Sequence, residues 1–154
     1  MADMRIVRKG EGDVVAPWCV KSSGDLSDGR FDLFVGEVDY LAGPPLHRHD
    51  DQEDTFYVLE GILTVQGDEE IFEAGPGDFV TFPPGVAHTF DNLKEDQPPV
   101  KVMNIMTPGG FDRAIRALNA LGDKSADPGE WQELRREFRL EFVGPPIHVR
   151  LGLK

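Results

Sequence analysis

The chain has 154 residues, of which 28 are acidic and 16 basic, and its net charge is −12. This charge repels phosphate groups, so we expect neither a nucleic-acid partner nor a membrane partner. The length suits one well-filled domain, and no run approaches the roughly 18 apolar residues of a membrane span.

The first segment, residues 1–29, is interrupted by glycine and proline and is predicted to be an N-terminal arm of one or two short strands. Trp18 is the side chain expected to anchor this arm. The first ten residues lack the apolar middle of a signal peptide. Cys19 is the single cysteine, and we expect an ordinary buried thiol in a reducing compartment. These observations predict a cytoplasmic location.

Alternating apolar residues begin at Phe31 and continue through Leu33 and Val35, after which the apolar set moves by one position at Gly36. Such a slip at a glycine predicts a β-bulge. Further short runs, separated by Gly and Pro turns, are interpreted as strands over residues 55–59, 62–66, 70–73, 78–82, 87–90 and 100–106. Many short strands without intervening helices predict an all-β antiparallel sandwich or barrel, with its core over residues 30–107.

The remaining segment, residues 108–154, is predicted to hold helices and a final strand. Apolar residues recur at helical spacing from Phe111 to Leu121, and Gly122 is placed to end that helix. Asp127 and Pro128 resemble the start of a second helix. Its apolar stripe is predicted to face the barrel or a partner subunit and consists of Trp131, Leu134 and Phe138. The last strand is expected over residues 140–143.

Three histidines and a carboxylate stand out as candidate metal ligands. His47 and His49 are one residue apart, so on a strand both rings point to the same face. An acidic turn follows them, and His88 arrives on a later strand. Imidazoles and a carboxylate are a ligand set for a first-row transition metal. His148 has no such neighbours and is interpreted as a surface or packing residue.

Two motifs at these positions resemble those of the cupin superfamily. The first is His-x-His-x4-acid-x6-Gly, carried by His47, His49, Asp54 and Gly61. The second is Gly-x5-Pro-x-Gly-x2-His-x3-Asn, carried by Gly77, Pro83, Gly85, His88 and Asn92. On these residues the chain is identified as a single-domain cupin of the cupin 2 type, and its tail resembles quercetin-dioxygenase-like members. The resemblance implies one cupin domain over residues 1–154. Its fold would be a double-stranded β-helix, or jelly-roll barrel, with a small C-terminal helical extension.

The chain departs from the first motif in two ways. The family usually has Glu where this chain has Asp54, whose side chain is shorter by roughly 1.5 Å, near the length of one C–C bond. Gly43 also lies closer to His47 than is usual. The sequence leaves open whether Asp54 or Glu53 is the carboxylate ligand. Glu53 keeps the even spacing from His49, whereas the distance to Gly61 favours Asp54. A shorter side chain also leaves open a water-mediated contact or ligation by three histidines alone.

The resemblance implies one divalent transition metal ion, Fe, Mn, Ni, Co, Cu or Zn, held by His47, His49, Asp54 and His88, with Asp54 also the catalytic base. The predicted interior is apolar and suits a small apolar or aromatic molecule. Its expected lining is Phe56, Phe72, Phe79, Phe82, Phe90, Met103 and Met106. The activity implied is oxygenolytic ring opening of a flavonol or another polyphenol or enol.

Two alternatives to this activity remain open. The first is a redox-neutral isomerase, cyclase or lyase that acts on a polyketide or keto acid. The second is a small-molecule-binding protein without turnover, because the fold alone does not choose a function. A homodimer is expected, because small cupins commonly form dimers through their outer strands.

Overall fold

A computed structural model describes residues 3–122 and 128–154 of the chain. Its strands are β1 (Asp13–Val15), β2 (Trp18–Ser22), β3 (Asp32–Val38), β4 (Leu46–His49), β5 (Glu53–Glu60), β6 (Leu63–Gly67), β7 (Glu70–Ala74), β8 (Phe79–Phe82), β9 (His88–Asp91), β10 (Val100–Thr107) and β11 (Leu140–Gly144). Its helices are α1 (Phe111–Leu121), α2 (Pro128–Glu137) and α3 (Ile147–Arg150).

The strands form two antiparallel sheets. The six-stranded sheet has the order β1-β2-β3-β10-β5-β8, and the five-stranded sheet has the order β11-β4-β9-β6-β7. Successive strands change sheets repeatedly, as β4 and β5 do, which is the connectivity of a jelly roll. The predicted all-β barrel with a small helical extension is therefore confirmed.

The apolar core lies between the two sheets, where alternate residues of the strands point inward. On β10 the buried residues Val100, Val102 and Met106 alternate with half-buried ones. Phe34, Phe56, Val58 and Val65 are fully or almost fully buried and come from both sheets. The period of two that predicted the strands is thus the period at which side chains enter the core.

The predicted bulge at Gly36 is wrong. β3 pairs with β10 in continuous register from Asp32 to Val38, and its buried positions include Phe34, Gly36 and Val38. Gly36 is required by a close approach instead, since a Cβ atom there would lie 2.5 Å from Cε3 of Trp18. The register shift lies on β2, between Val20 and Ser22.

Trp18 anchors the N-terminal segment as predicted. Its side chain is buried, and its ring centroid lies 6.0 Å from that of Phe34 and 6.3 Å from that of Phe90. Cys19, by contrast, is half-buried rather than buried. The short strands β1 and β2 thereby extend the six-stranded sheet beyond β3.

Two aromatic residues expected in the interior are exposed. Phe72 on β7 and Phe79 on β8 have 44% and 64% of their surface accessible. Both strands lie at sheet edges, where solvent reaches side chains from the open flank. Phe56, Phe82 and Met106 are buried as predicted, whereas Phe90 and Met103 are half-buried.

The C-terminal segment packs on edge strands of the two sheets, with α1 against β1 and α2 against β11. α1 has the predicted bounds, and Gly122 follows it with a positive φ of 54°. The predicted cap residue of α2, Asp127, lies outside the described residues. Within the two described segments, no helix is long and apolar enough to cross a membrane.

Candidate metal centre

β4 and β9 bring three histidines together. His47 and His49 are both buried inward-facing residues of β4, as the strand period requires. His88 opens β9 and is the Cα partner of His47 across the two strands. The centroids of the His47 and His88 rings lie 4.6 Å apart, and the centroid of His49 lies 5.2 Å from His47 and 5.3 Å from His88.

Asp54 approaches the histidines from the opposite sheet. Between His49 and Glu53 the chain leaves the five-stranded sheet and enters β5 of the six-stranded sheet. Asp54 is 3% exposed, and its Oδ2 lies 2.8 Å from Nε2 of His88 and 3.5 Å from Nε2 of His49. The shorter side chain of Asp54 therefore reaches the histidines, and His47, His49, Asp54 and His88 together form one cluster.

Glu53 points elsewhere. Its Oε1 accepts a hydrogen bond of 2.8 Å from the Thr81 hydroxyl on the neighbouring strand β8. Successive strand residues point to opposite faces, so Glu53 and Asp54 cannot share the cluster. The structure places Asp54, not Glu53, beside the histidines.

The four side chains fit a metal ion. One ligand atom from each of His47, His49, Asp54 and His88 lies within 4.8 Å of the others. With metal–ligand bonds of about 2.0–2.2 Å, ligand atoms on opposite sides of an ion are about 4.2 Å apart. The two ring nitrogens of His49 are buried and find no hydrogen-bond partner in the described part of the chain. Since a histidine binds a metal ion through one ring nitrogen, ligation would give one of these two atoms a partner.

Backbone carbonyls orient two of the rings. Nδ1 of His47 lies 2.8 Å from the Pro45 carbonyl oxygen, and Nδ1 of His88 lies 2.9 Å from that of Val86. A carbonyl can only accept, so each Nδ1 carries the proton, and in the neutral ring Nε2 keeps its lone pair. Nε2 of His88 lies 2.8 Å from Asp54 Oδ2, so a cation bound by both atoms fits this contact.

Burial of His47 and the contacts of Asp54 with its histidine neighbours favour the protonation state that metal binding needs. Burial, together with the neighbouring rings of His88 and His49, lowers the pKa of His47 from 6.5 to about 3. Burial alone would raise the pKa of Asp54, but the interactions with His49 and His88 outweigh it and hold that pKa well below its usual range. A neutral imidazole and an ionised carboxylate are the forms that bind metal ions.

Residues around the cluster fix its members. Asn104, on β10, donates hydrogen bonds of 2.5 Å to Asp54 Oδ1 and 3.0 Å to the Thr55 carbonyl oxygen. Phe82 stacks on His88 at 4.5 Å, and Phe111 meets His49 edge-on at 4.7 Å. Sequence reasoning missed Asn104, although its inward position among buried apolar residues of β10 was a usable signal.

Hydrogen bonds to Asp32 fix the position of Phe111. The fully buried carboxylate of Asp32 accepts hydrogen bonds of 2.8 Å from the Gly110 and Phe111 amides and 2.7 Å from the Gly24 amide. Burial raises the pKa of Asp32 against the opposing effect of these hydrogen bonds. Asp32 thus ties the start of α1 to the barrel, and α1 places Phe111 against His49.

His148 lies away from the cluster, as expected of a packing residue. Its backbone amide and its Nδ1 lie 3.1 Å and 2.6 Å from Oδ2 of the buried Asp91. Oδ1 of Asp91 accepts from the Gly43 amide at 2.9 Å. A Cβ atom at Gly43 would lie 2.1 Å from the Phe90 carbonyl oxygen, so the glycine position near His47 is set by close backbone contact.

A cavity of about 750 Å³ opens onto the cluster through His47 and Asp54. Its volume falls in the range of roughly 300–1,000 Å³ that is usual for small-molecule sites. The walls are mainly apolar and include Trp18, Phe56, Phe90, Ile115, Leu118 and Phe142. α1 and α2 close one side, and Trp131 of the α2 stripe faces this cavity. The helical segment therefore forms part of the cavity wall, which sequence periodicity alone did not reveal.

Comparison with known proteins agrees with this architecture. Residues 34–106 match the family described as Cupin domain (Cupin_2). Quercetin 2,3-dioxygenase from Bacillus subtilis is 32% identical over 142 residues, a match that covers 90% of this chain and 41% of that enzyme. The chain thus spans about two fifths of that relative's length.

Solved structures show the same fold. KdgF from Halomonas sp. has a TM-score of 0.59 at 19% identity, over 73% of this chain and 99% of that chain. A putative sugar phosphate isomerase from Acidithiobacillus ferrooxidans has a TM-score of 0.50 at 25% identity, over 58% of each chain. The first of these likenesses concerns the fold alone.

Proposed function

The chain belongs to the cupin family, and from this membership we propose that it is a metal-dependent dioxygenase of a flavonol or another polyphenol or enol. One observation carries the proposal most directly. The apolar cavity ends at His47 and Asp54, so a flat aromatic molecule within it would meet the metal-binding residues with its reactive oxygen.

The cofactor in this proposal is one divalent transition metal ion, held by His47, His49, Asp54 and His88. When bound, the metal would polarise the substrate oxygen and supply the electronic pathway to dioxygen. The donor set suits several metals, and supply in the cell contributes to which one is bound.

Asp54 is proposed to take the proton of the substrate hydroxyl. It is the buried carboxylate of the cavity wall, whereas Glu37 and Asp39 at the same cavity are exposed. Its lowered pKa means that it is ionised at neutral pH, and Asn104 fixes the carboxylate plane by binding Oδ1. The apolar walls would hold the aromatic rings and exclude water from the reacting oxygen.

Oxygen uptake on a panel of flavonols, with protein of measured metal content, tests the proposal. We expect uptake by the loaded wild type and loss of both metal and uptake in His49→Ala. His148→Ala is the matched control, because it removes a histidine outside the cluster. Stoichiometric metal without oxygen uptake on any polyphenol would reject the dioxygenase.

A redox-neutral isomerase, cyclase or lyase is the second candidate. This candidate is favoured by the putative sugar phosphate isomerase, which shares the fold of this chain and is 25% identical to it. Such an enzyme would convert an enolisable keto acid or polyketide equally well without oxygen. A protein that only binds its ligand would instead keep its affinity after metal removal.

Two further expectations remain proposals. A cytoplasmic location is one of them, supported by the single cysteine, Cys19. The homodimer is the other, and the stripe of Trp131, Leu134 and Phe138 is its proposed contact surface; of these three residues, Trp131 also lines the cavity.

A further inference from the structure

The cavity wall also holds polar side chains on α2, apart from the four metal-binding residues. Trp131 and Arg135 lie four residues apart on α2, so their side chains share one face of the helix. Both line the cavity. The indole Nε1 of Trp131 and the guanidinium Nε of Arg135 are buried and have no hydrogen-bond partner among residues 3–122 and 128–154. Buried donors without partners are rare, and each calls for an explanation.

Arg135 is the one Lys or Arg side chain that lines the cavity in the described part of the chain. Two other arginines, Arg48 and Arg139, have carboxylate partners in Glu141 and Asp51. Arg135 has no such ion pair among the described residues; its Cζ lies instead 4.7 Å above the ring of Phe142. A guanidinium fixed over an aromatic face keeps its donors free for a planar anion.

Phe142 connects this corner to the cluster. On β11 it is the Cα partner of His47, and its ring centroid lies 6.3 Å from that of His47. The Arg135 guanidinium therefore lies no more than about 11 Å from the His47 ring. At roughly 1.5 Å per C–C bond, a scaffold of two fused aromatic rings lies within this limit.

Glu37 and Asp39, the exposed acidic residues of the cavity wall, form no ion pair with Arg135. Glu37 is the penultimate residue of β3 and Asp39 directly follows that strand, so both belong to the side of the six-stranded sheet. α2 packs on β11 of the five-stranded sheet. Glu37 and Asp39 are also exposed, so solvent screens their charge more than it screens the buried part of Arg135.

We propose that Trp131 and Arg135 form an anion-binding subsite that selects aromatic enols or phenols carrying a carboxylate at the end remote from the reacting hydroxyl. The proposal rests on the proposed function for the position of the reacting hydroxyl at the cluster. The guanidinium pairs with the carboxylate, the indole N–H donates a second hydrogen bond, and Phe142 packs against the ring system. Charge-assisted hydrogen bonds of this kind favour the charged ligand over its neutral analogue.

A matched ligand pair tests this subsite by equilibrium binding to metal-loaded protein. 6-Hydroxy-2-naphthoate and 2-naphthol share two fused rings and a hydroxyl, and differ in the remote carboxylate. We expect wild type to bind the naphthoate at least about 10-fold more tightly than the naphthol. Arg135→Gln should reduce this ratio to near 1 and leave the naphthol affinity unchanged. Arg136→Gln, at the exposed neighbouring position, should keep the wild-type ratio.

Two more variants guard against a general loss of structure. Arg135→Glu should invert the preference, and Trp131→Phe should lower naphthoate affinity about fivefold more than naphthol affinity. The subsite is overturned if wild type shows no preference, if neither naphthalene binds, or if Arg135→Gln keeps the ratio. Loss of the dioxygenase proposal gives a different pattern, in which the carboxylate preference persists while no substrate consumes oxygen.

Discussion

Asn104 donates a hydrogen bond of 2.5 Å to Oδ1 of Asp54, a residue fifty positions earlier in the chain. The two residues lie on adjacent strands, β10 and β5. The Cα partner of Asn104 is Phe56, and that of Asp54 is Met106. Since Oδ1 is held by Asn104, Oδ2 is the oxygen that faces His49 and His88. The direction of the carboxylate is therefore set from outside the ligand cluster.

Asn104→Ala should weaken metal binding by roughly 10- to 100-fold, the usual effect of removing a partner that orients a ligand. Competition with a chelator of known affinity measures this change. Asn119→Ala is the matched control, because Asn119 binds the Ala16 carbonyl and not the cluster. Equal metal affinities of Asn104→Ala and wild type would contradict a positioning role.

The metal-free protein should lose stability as the pH falls from 6.5 towards 3. The pKa of His47 is lowered to about 3, so in this window the unfolded chain binds a proton that the folded chain does not. One such proton changes the free energy of unfolding by at most about 1.4 kcal/mol per pH unit. Urea unfolding between pH 7 and 4, after chelation, measures the slope. His47→Gln should flatten it; an unchanged slope would assign the pH dependence to other groups.

Gly36→Ala should destabilise the protein by about 1–3 kcal/mol, because its Cβ atom would meet the Trp18 ring at 2.5 Å within a packed core. Gly75→Ala is a suitable control, since its nearest neighbour would be at an ordinary 3.4 Å. Denaturant unfolding compares the two. If both variants were equally stable, the close contact between β2 and β3 would not explain this glycine.

His148→Ala should lower the free energy of unfolding by about 1–3 kcal/mol, because the buried carboxylate of Asp91 loses the donor at 2.6 Å. His148→Asn, which retains a side-chain N–H donor, should recover part of the loss. Metal content should stay at the wild-type level in both variants. Loss of metal from a folded His148→Ala protein would instead link α3 to the cluster.

The sequence predicted strands well where side chains alternate between core and solvent, as on β5 and β10. It failed where the outcome depended on neighbouring strands. The pattern at Gly36 resembled a bulge. The feature that requires glycine there is the Trp18 ring, which lies eighteen positions away in the chain. Phe72 and Phe79 have the hydrophobicity of core residues, but their strands lie at sheet edges. Strand order, which decides which strands are edges, is not written in the local pattern.

The sequence by itself determined the family and the shared face of His47 and His49, because motif spacing and the strand period are local properties of the chain. Only the tertiary structure decided between Asp54 and Glu53, since that choice depends on how the turn after His49 carries the chain into the opposite sheet. It also brought α2 over the cavity, where Trp131 and Arg135 face Phe142. Such contacts join segments distant in sequence, and their geometry follows from packing rather than from the residues of any one segment.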